Sequence, residues 1–300
     1  NLVCTTTITF CFWKELKDGF FAGGKLLDMP LAKKMLSYTW PILFLGIAGI
    51  LNQTAGYIIF PYVYKDNDAH TQLGIFGAAS KIAMIMSMIT QAFRYAYEPF
   101  VFGKARDKDN KETYARAMKF FIIFTLLAFL VVMGYMDILR HIIGRDYWVG
   151  LKVVPIVMAG GIMTGVYFNL SFWYKLIDKT IWGAYFSGIG CAVIIGINVI
   201  FVPKYGYIAC AWAGFMGNAT AMVLSYLVGQ RKYPINYPLK SIFVYLLIAG
   251  LFFAVITYTN ANLPVPAALG INTLLIILFI AHVLYHDFPL QQLRNRIAKK

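Results

Sequence analysis

Lys81, Arg94 and Glu98 sit within LGIFGAASKIAMIMSMITQAFRYAYEPFVF, residues 73–102, a run otherwise apolar enough to lie in lipid. Ionised side chains at bilayer depth are costly, and those present usually face a partner, a cavity or a transport path. Arg94 and Glu98 are four residues apart and share a helical face, so they can neutralise one another. The Arg-before-Glu order is the weaker one for an isolated helix. A second reading has the planar guanidinium of Arg94 receiving an anion in exchange for Glu98. A third makes Glu98, next to Pro99, a carboxyl that exchanges protons. Lys81 lies eight residues into the run, where it either snorkels to the interface or offers a cation to a ligand.

These residues must be positioned by membrane spans. The chain has 300 residues, 60% apolar and 13% charged, with mean hydropathy +0.65, far from the balance of a soluble domain. Runs long enough to cross about 30 Å of hydrocarbon occur near 36–62, 73–101, 114–139, 149–174, 181–203, 207–229, 240–259 and 265–285. The expected fold is an all-α polytopic membrane protein with eight complete transmembrane helices. Residues 1–13, too short to span at about 1.5 Å per residue, read as the tail of a truncated ninth. A β-barrel is excluded because its strands are shorter and alternate.

Net charge of +14 raises the question of nucleic acid, and placement answers it. If residues 14–34 are cytoplasmic, alternating spans put twenty of the 27 Lys and Arg in inner segments and five in outer ones, leaving Lys81 and Arg94 within a span. That asymmetry follows the positive-inside rule, predicts a cytoplasmic C-terminus and makes nucleic acid an unneeded partner. Residues 14–34 combine Lys with Phe20, Phe21, Leu26 and Leu27, which suits either a helix on the inner leaflet or a solvated linker. Cys4, Cys11, Cys191 and Cys210 have no CxxC spacing and read as packing residues. Ala184 and Gly188, and Ala213 and Gly217, permit close contact within a hairpin of the fifth and sixth spans, turned at VPKYGY, where Pro203 is expected to end the first helix. Pro155, Gly160, Gly161 and Gly165 predict a fourth span able to bend.

Three stretches together carry a resemblance: LGIFGAASKIAMIMSMITQAFRYAYEPFVFGKARD, GLKVVPIVMAGGIMTGVYFNLSFWYKLIDKT and VPKYGYIACAWAG. They resemble the polysaccharide flippases, of O-antigen type, in the multidrug/oligosaccharidyl-lipid/polysaccharide exporter superfamily. The resemblance implies a C-terminal portion of a protein of about fourteen helices in two six-helix lobes. On that map 14–34 joins the lobes, 35–230 is a MATE-like second lobe, 231–300 holds two additional helices and a tail, and the N-terminal lobe is missing. The implied activity is flipping of a polyprenyl-diphosphate-linked glycan across the inner (cytoplasmic) membrane for lipopolysaccharide or related polysaccharide biosynthesis, without enzymatic chemistry or cofactor. Arg94 and Lys81 then become headgroup cations and Glu98 a coupling or ion-pair carboxyl. Asn52, Gln53, Gln91 and Asn169 become cavity polar groups, or else interhelical hydrogen-bond partners. Tyr167, Trp173 and Tyr174 either stack on sugars or form an interfacial belt.

Two rival functions carry different expectations. A MATE-type exporter of small organic cations favours intramembrane carboxylates over Lys and Arg. A membrane-embedded glycan polymerase or ligase needs a substantial outer loop, and the outer segments 63–72, 140–148, 204–206 and 260–264 are short. No metal is expected: His282 and His286 have no third ligand near in sequence, and Asp107, Asp109 and Glu112 lack the spacing of a calcium loop. No P-loop, Ser/His/Asp set or nucleotide fingerprint occurs.

Overall fold

The computed structural model describes residues 6, 7, 10–14, 17, 28–65, 68–103 and 110–287. The expected helix tail at 1–13, most of the 14–34 linker and the tail beyond 287 therefore lie largely outside the described residues. The described secondary structure is helical, without a strand.

The first bounded helix, α1 (Met29–Val63), begins where Asp28 accepts a hydrogen bond from the Leu31 amide at 3.3 Å and Pro30 occupies the first turn. An acidic N-cap and an early proline favour that start. It falls inside the expected linker, so the helix runs further back than hydropathy alone indicates. Then follow α2 (Ala69–Gly103), α3 (Asn110–Gly134) and the short α4 (Met136–Leu139). Two 3-10 segments at 140–142 and 145–153 lead into α5 (Val154–Leu170), α6 (Phe172–Leu176), α7 (Ile181–Tyr205) and α8 (Tyr207–Lys232). The chain closes with α9 (Leu239–Asn262) and α10 (Val265–Asp287).

Seven helical stretches among the described residues are long and apolar enough to cross a membrane, and they correspond to expected spans two to eight. The first expected span, 36–62, lies within the 35-residue α1. The protein is a multi-pass membrane protein. Many large apolar side chains face outward, Leu247, Leu251, Leu274 and Ile277 on α9 and α10 among them, as expected where lipid rather than water is the solvent.

Packing divides the molecule. Helices α1, α2, α3, α5, α7 and α8 form one bundle, with α7 on α8 and α1, and α5 on α8 and α2. The α9–α10 hairpin joins it chiefly through α3. The helix pair α7–α8 turns at a single residue, Gly206, whose φ of +54° is a left-handed value that a side chain disfavours. Pro203 does not end α7, which continues to Tyr205. The hairpin closes at Gly190 and Gly217: a Cβ on Gly190 would lie 2.9 Å from the Gly217 carbonyl oxygen, whereas one on Gly188 would meet nothing within 4 Å. Small-residue spacing correctly predicted the hairpin but selected the wrong glycine on α7.

The proline and glycines expected to let the fourth span bend have packing and capping roles. Pro155 occupies the first turn of α5, where its missing amide removes no helical hydrogen bond. Gly160, Gly161 and Gly165 let α8, α2 and α3 approach, since added Cβ atoms would crowd the Phe215 backbone, Met86 and Phe121. Between α5 and α6, Ser171 keeps right-handed helical dihedrals, and its amide donates to the Tyr167 carbonyl at 2.9 Å.

Candidate functional site

Just beyond Ser171 stands a cation that the sequence reading left among the loop charges. Lys175, on α6, donates from Nζ to Glu98 Oε1 at 2.7 Å. Arg94 Nε lies 3.6 Å from Glu98 Oε2, an ion-pair distance but too long for a hydrogen bond. One carboxylate thus faces two cations. Arg94 and Glu98 are brought together by their spacing on α2, and Lys175 reaches them from 77 residues away in sequence.

Aromatic faces complete the setting. The Arg94 guanidinium carbon is 4.9 Å from the centroid of Phe168 on α5, and Lys175 Nζ is 5.2 Å from that of Phe172. Each geometry suits a cation over a ring. Behind Arg94, between α2 and α5, is a void of about 10 Å³, the space of roughly one water-sized sphere. Thr90 and Asn169 line it with Arg94. Thr90 Oγ1, Asn169 Oδ1 and Arg94 Nε are buried atoms without a hydrogen-bond partner, while the Asn169 amide nitrogen donates to the Gly165 carbonyl at 3.0 Å. The guanidinium itself is partly exposed, on the edge of an α2 face that presents Met84, Met88, Gln91 and Tyr95.

The other sequence candidates are dispersed. Gln91 is exposed one turn before Arg94, and Gln53 is exposed on α1. Asn52, also on α1, is partly buried with Oδ1 unpartnered. Lys81 is not part of the Arg94 cluster. Thirteen residues separate them on α2, about 20 Å along the axis and about 140° around it. No single headgroup phosphate can rest on both at once. Lys81 instead lines a separate cavity of about 770 Å³, with Tyr57 of α1 and Tyr147 of the connecting segment.

The aromatic candidates are interior. Trp173 and Tyr174 are buried, Trp173 Nε1 donates to Ser225 Oγ at 3.4 Å, and the Tyr167 hydroxyl donates to the Gly183 carbonyl at 3.2 Å. Gly183 and Gly229 make room for them, since a Cβ at either would come within 3 Å of Tyr174 or Trp173. Stacking on sugars and an interfacial belt are both excluded for Trp173 and Tyr174 in this arrangement. The three free cysteines among the described residues are Cys11, Cys191 and Cys210, the last two buried. No group of three potential metal ligands occurs among the described residues.

A second ion cluster, missed by sequence reading, fastens the α9–α10 hairpin. Lys119 of α3 pairs with Asp287 Oδ1 at the end of α10, and the Tyr245 hydroxyl of α9 donates to Asp287 Oδ2 at 2.6 Å. At the hairpin's other end Asn272 donates to the Gly134 carbonyl at 3.0 Å and to Asn260 Oδ1 at 2.8 Å.

Two solved structures are similar to this chain. The lipid II flippase MurJ in an inward closed conformation matches 91% of this chain with TM-score 0.65 and 16% identity. The Vibrio cholerae MATE transporter VcmN in its bent form matches 77% with TM-score 0.59 and 13% identity. The chain spans 59% of the length of the former and 56% of the latter. No family model matches the chain, and no curated protein matches it. At these identities the likeness is one of fold, and the fold is one that a lipid II flippase and a MATE transporter share.

Proposed function

We propose that this chain is the second lobe, with two additional helices, of an inner-membrane flippase that carries a polyprenyl-diphosphate-linked glycan from the cytoplasmic to the outer leaflet. The observation that carries this reading is the surplus of cation at Glu98. Two cations face one carboxylate, and the Arg94 ion pair is long and partly exposed. A bidentate guanidinium and an ammonium together match an anionic diphosphate.

The mechanism follows from exchange at one carboxylate. Without cargo, Glu98 lowers the cost of holding Arg94 and Lys175 in a span. An arriving headgroup offers Arg94 more acceptor oxygens at shorter range than Glu98 does. The guanidinium can turn to it while Glu98 keeps Lys175, so no stage leaves a bare buried charge. Gln91 and Gln53, exposed on α2 and α1, are amide groups suited to sugar hydroxyls. A lobe contributed by the rest of the protein would close the transport path opposite α2. Export of organic cations, the rival with the same fold, is disfavoured by cation surplus, which repels such cargo.

The test is removal of the complete protein from a source strain without a redundant flippase. The expected result is loss of surface polysaccharide with the lipid-linked precursor retained on the cytoplasmic side. Normal surface polysaccharide in that strain overturns the reading.

A further inference from the structure

Between α2 and α5 we infer a bound-water site that sets the resting plane of the Arg94 guanidinium, with Thr90 and Asn169 as the other two residues that hold the water. Thr90 and Arg94 are four residues apart on α2, and Asn169 meets them from α5. All three line one void, and each has a buried polar atom without a hydrogen-bond partner. Thr90 is 3% exposed. Its hydroxyl also departs from the pattern of the neighbouring helices: Thr125, Thr164 and Thr273 donate to the carbonyl four residues back, and Thr90 Oγ1 makes no such bond. Back-bonding is how a mid-helix threonine ordinarily satisfies its hydroxyl. Without it, a hydroxyl buried in a bundle calls for another partner.

The void selects that partner by size and by polarity. Its volume of about 10 Å³ holds roughly one water-sized sphere, and the Phe93, Phe121, Phe168 and Phe172 rings supply apolar walls. Gly165 leaves the room, since a Cβ there would press on the Phe121 ring and the Thr90 methyl. The Asn169 amide nitrogen is committed to the Gly165 carbonyl, so its oxygen is the atom left to be satisfied. An anion would meet that carbonyl oxygen, and a cation would meet Arg94. Water suits both: it accepts from Arg94 Nε and donates to Asn169 Oδ1, and its third bond goes to the Thr90 hydroxyl. Three bonds are the usual number for a buried water. With Nε turned inward and the guanidinium over Phe168, two contacts fix one plane, and the partly exposed side chain keeps its two terminal nitrogens for an anion. Thr90 and Asn169 are thus positioning residues for Arg94, a role that rests on the export reading, whereas the water site rests on geometry alone.

The experiment is a structure of the complete protein at a resolution that shows ordered water. One peak should stand within about 2.7–3.2 Å of Thr90 Oγ1, Asn169 Oδ1 and Arg94 Nε. Its absence with those side chains ordered overturns the site. So does a bromide anomalous signal at that point in a bromide-soaked crystal, which would make the occupant an anion. Export, scaled to membrane abundance, then tests the positioning role with Thr90→Val, alone and together with Arg94→Lys, where a methylene replaces Nε. Loss of the hydroxyl should lower export about fivefold, the worth of one hydrogen bond, in the wild type and by less than about twofold in Arg94→Lys. Thr90→Ser should stay close to wild type. Equal fractional losses in the two backgrounds, or a Thr90→Ser protein as poor as Thr90→Val, make Thr90 a packing residue and overturn its role. The peak is read without transport, so its absence leaves the export reading standing, and normal polysaccharide in a strain lacking this protein leaves the peak standing.

Discussion

Two ion clusters among the described residues use similar side chains to different ends. At Lys119, Asp287 and Tyr245 one cation meets one carboxylate, both carboxylate oxygens are engaged, and the side chains are 18% and 9% exposed for Lys119 and Asp287. At Arg94, Glu98 and Lys175 two cations share one carboxylate, Arg94 Nε has no hydrogen-bond acceptor, and exposures are 40%, 28% and 22%. Saturation separates a fastener from a group with capacity to spare. The first cluster joins three helices and leaves nothing for a ligand. The second keeps positive charge beside an open face.

The largest effect should come from breaking the saturated cluster. Lys119→Met leaves the Asp287 charge without its cation and with the Tyr245 hydroxyl as its donor, which costs up to about 3–5 kcal/mol for a buried pair, and should lower the melting temperature and membrane abundance sharply. Adding Asp287→Asn should recover most of that loss. If the single variant is as stable as wild type, the cluster is no fastener.

Next in size is Gly165→Ala, which tests whether the packing behind Arg94 is as close as described. An added methyl there collides with the Phe121 ring and should cost about 1–3 kcal/mol, with export falling as α5 shifts from α2. Gly188→Ala, with open space around it, is the control and should be silent in a thermal melt. Equal stability of the two variants would refute close packing at Gly165.

Smaller still in stability, though large in activity, is Arg94→Ala. Glu98 keeps Lys175 as its partner, so unfolding free energy should change by less than about 1 kcal/mol, the scale of a partly exposed pair. Export should nevertheless collapse, and Arg94→Lys should recover part of it, since charge survives and bidentate geometry does not. A melting curve and an export assay on the same preparation check both halves. Lys175→Ala should lower export less than Arg94→Ala, because Lys175 is the less exposed cation and is already hydrogen-bonded.

The same contrast explains what sequence could reveal. Spans two to eight were legible because a lipid-facing helix needs apolar residues at almost every turn, and that is a local property. Arg94 and Glu98 were legible as a pair because four residues is one helical turn. Lys175 was not, since its partner Glu98 lies 77 residues away in sequence, on another helix. The Lys119–Asp287 pair is separated by 168 residues, and no periodicity links such positions. Trp173 and Tyr174 mimic interfacial aromatics in sequence, and only Gly183 and Gly229, contributed by α7 and α8, show that they are buried. Lys81 and Arg94 look equivalent along the chain, yet about 140° of helical rotation sends them to different cavities.

The most direct measurement is membrane abundance and glycan export together for the complete protein carrying Arg94→Gln, Glu98→Gln and Lys175→Gln. Glu98 partners both cations, so removing all three charges leaves no uncompensated member of the cluster, and a purely structural cluster would be replaced at little cost. If Arg94 serves the diphosphate, the triple variant should reach the membrane at wild-type abundance and fail to export. Full export by that variant would contradict the account and leave Arg94 a helix-packing residue.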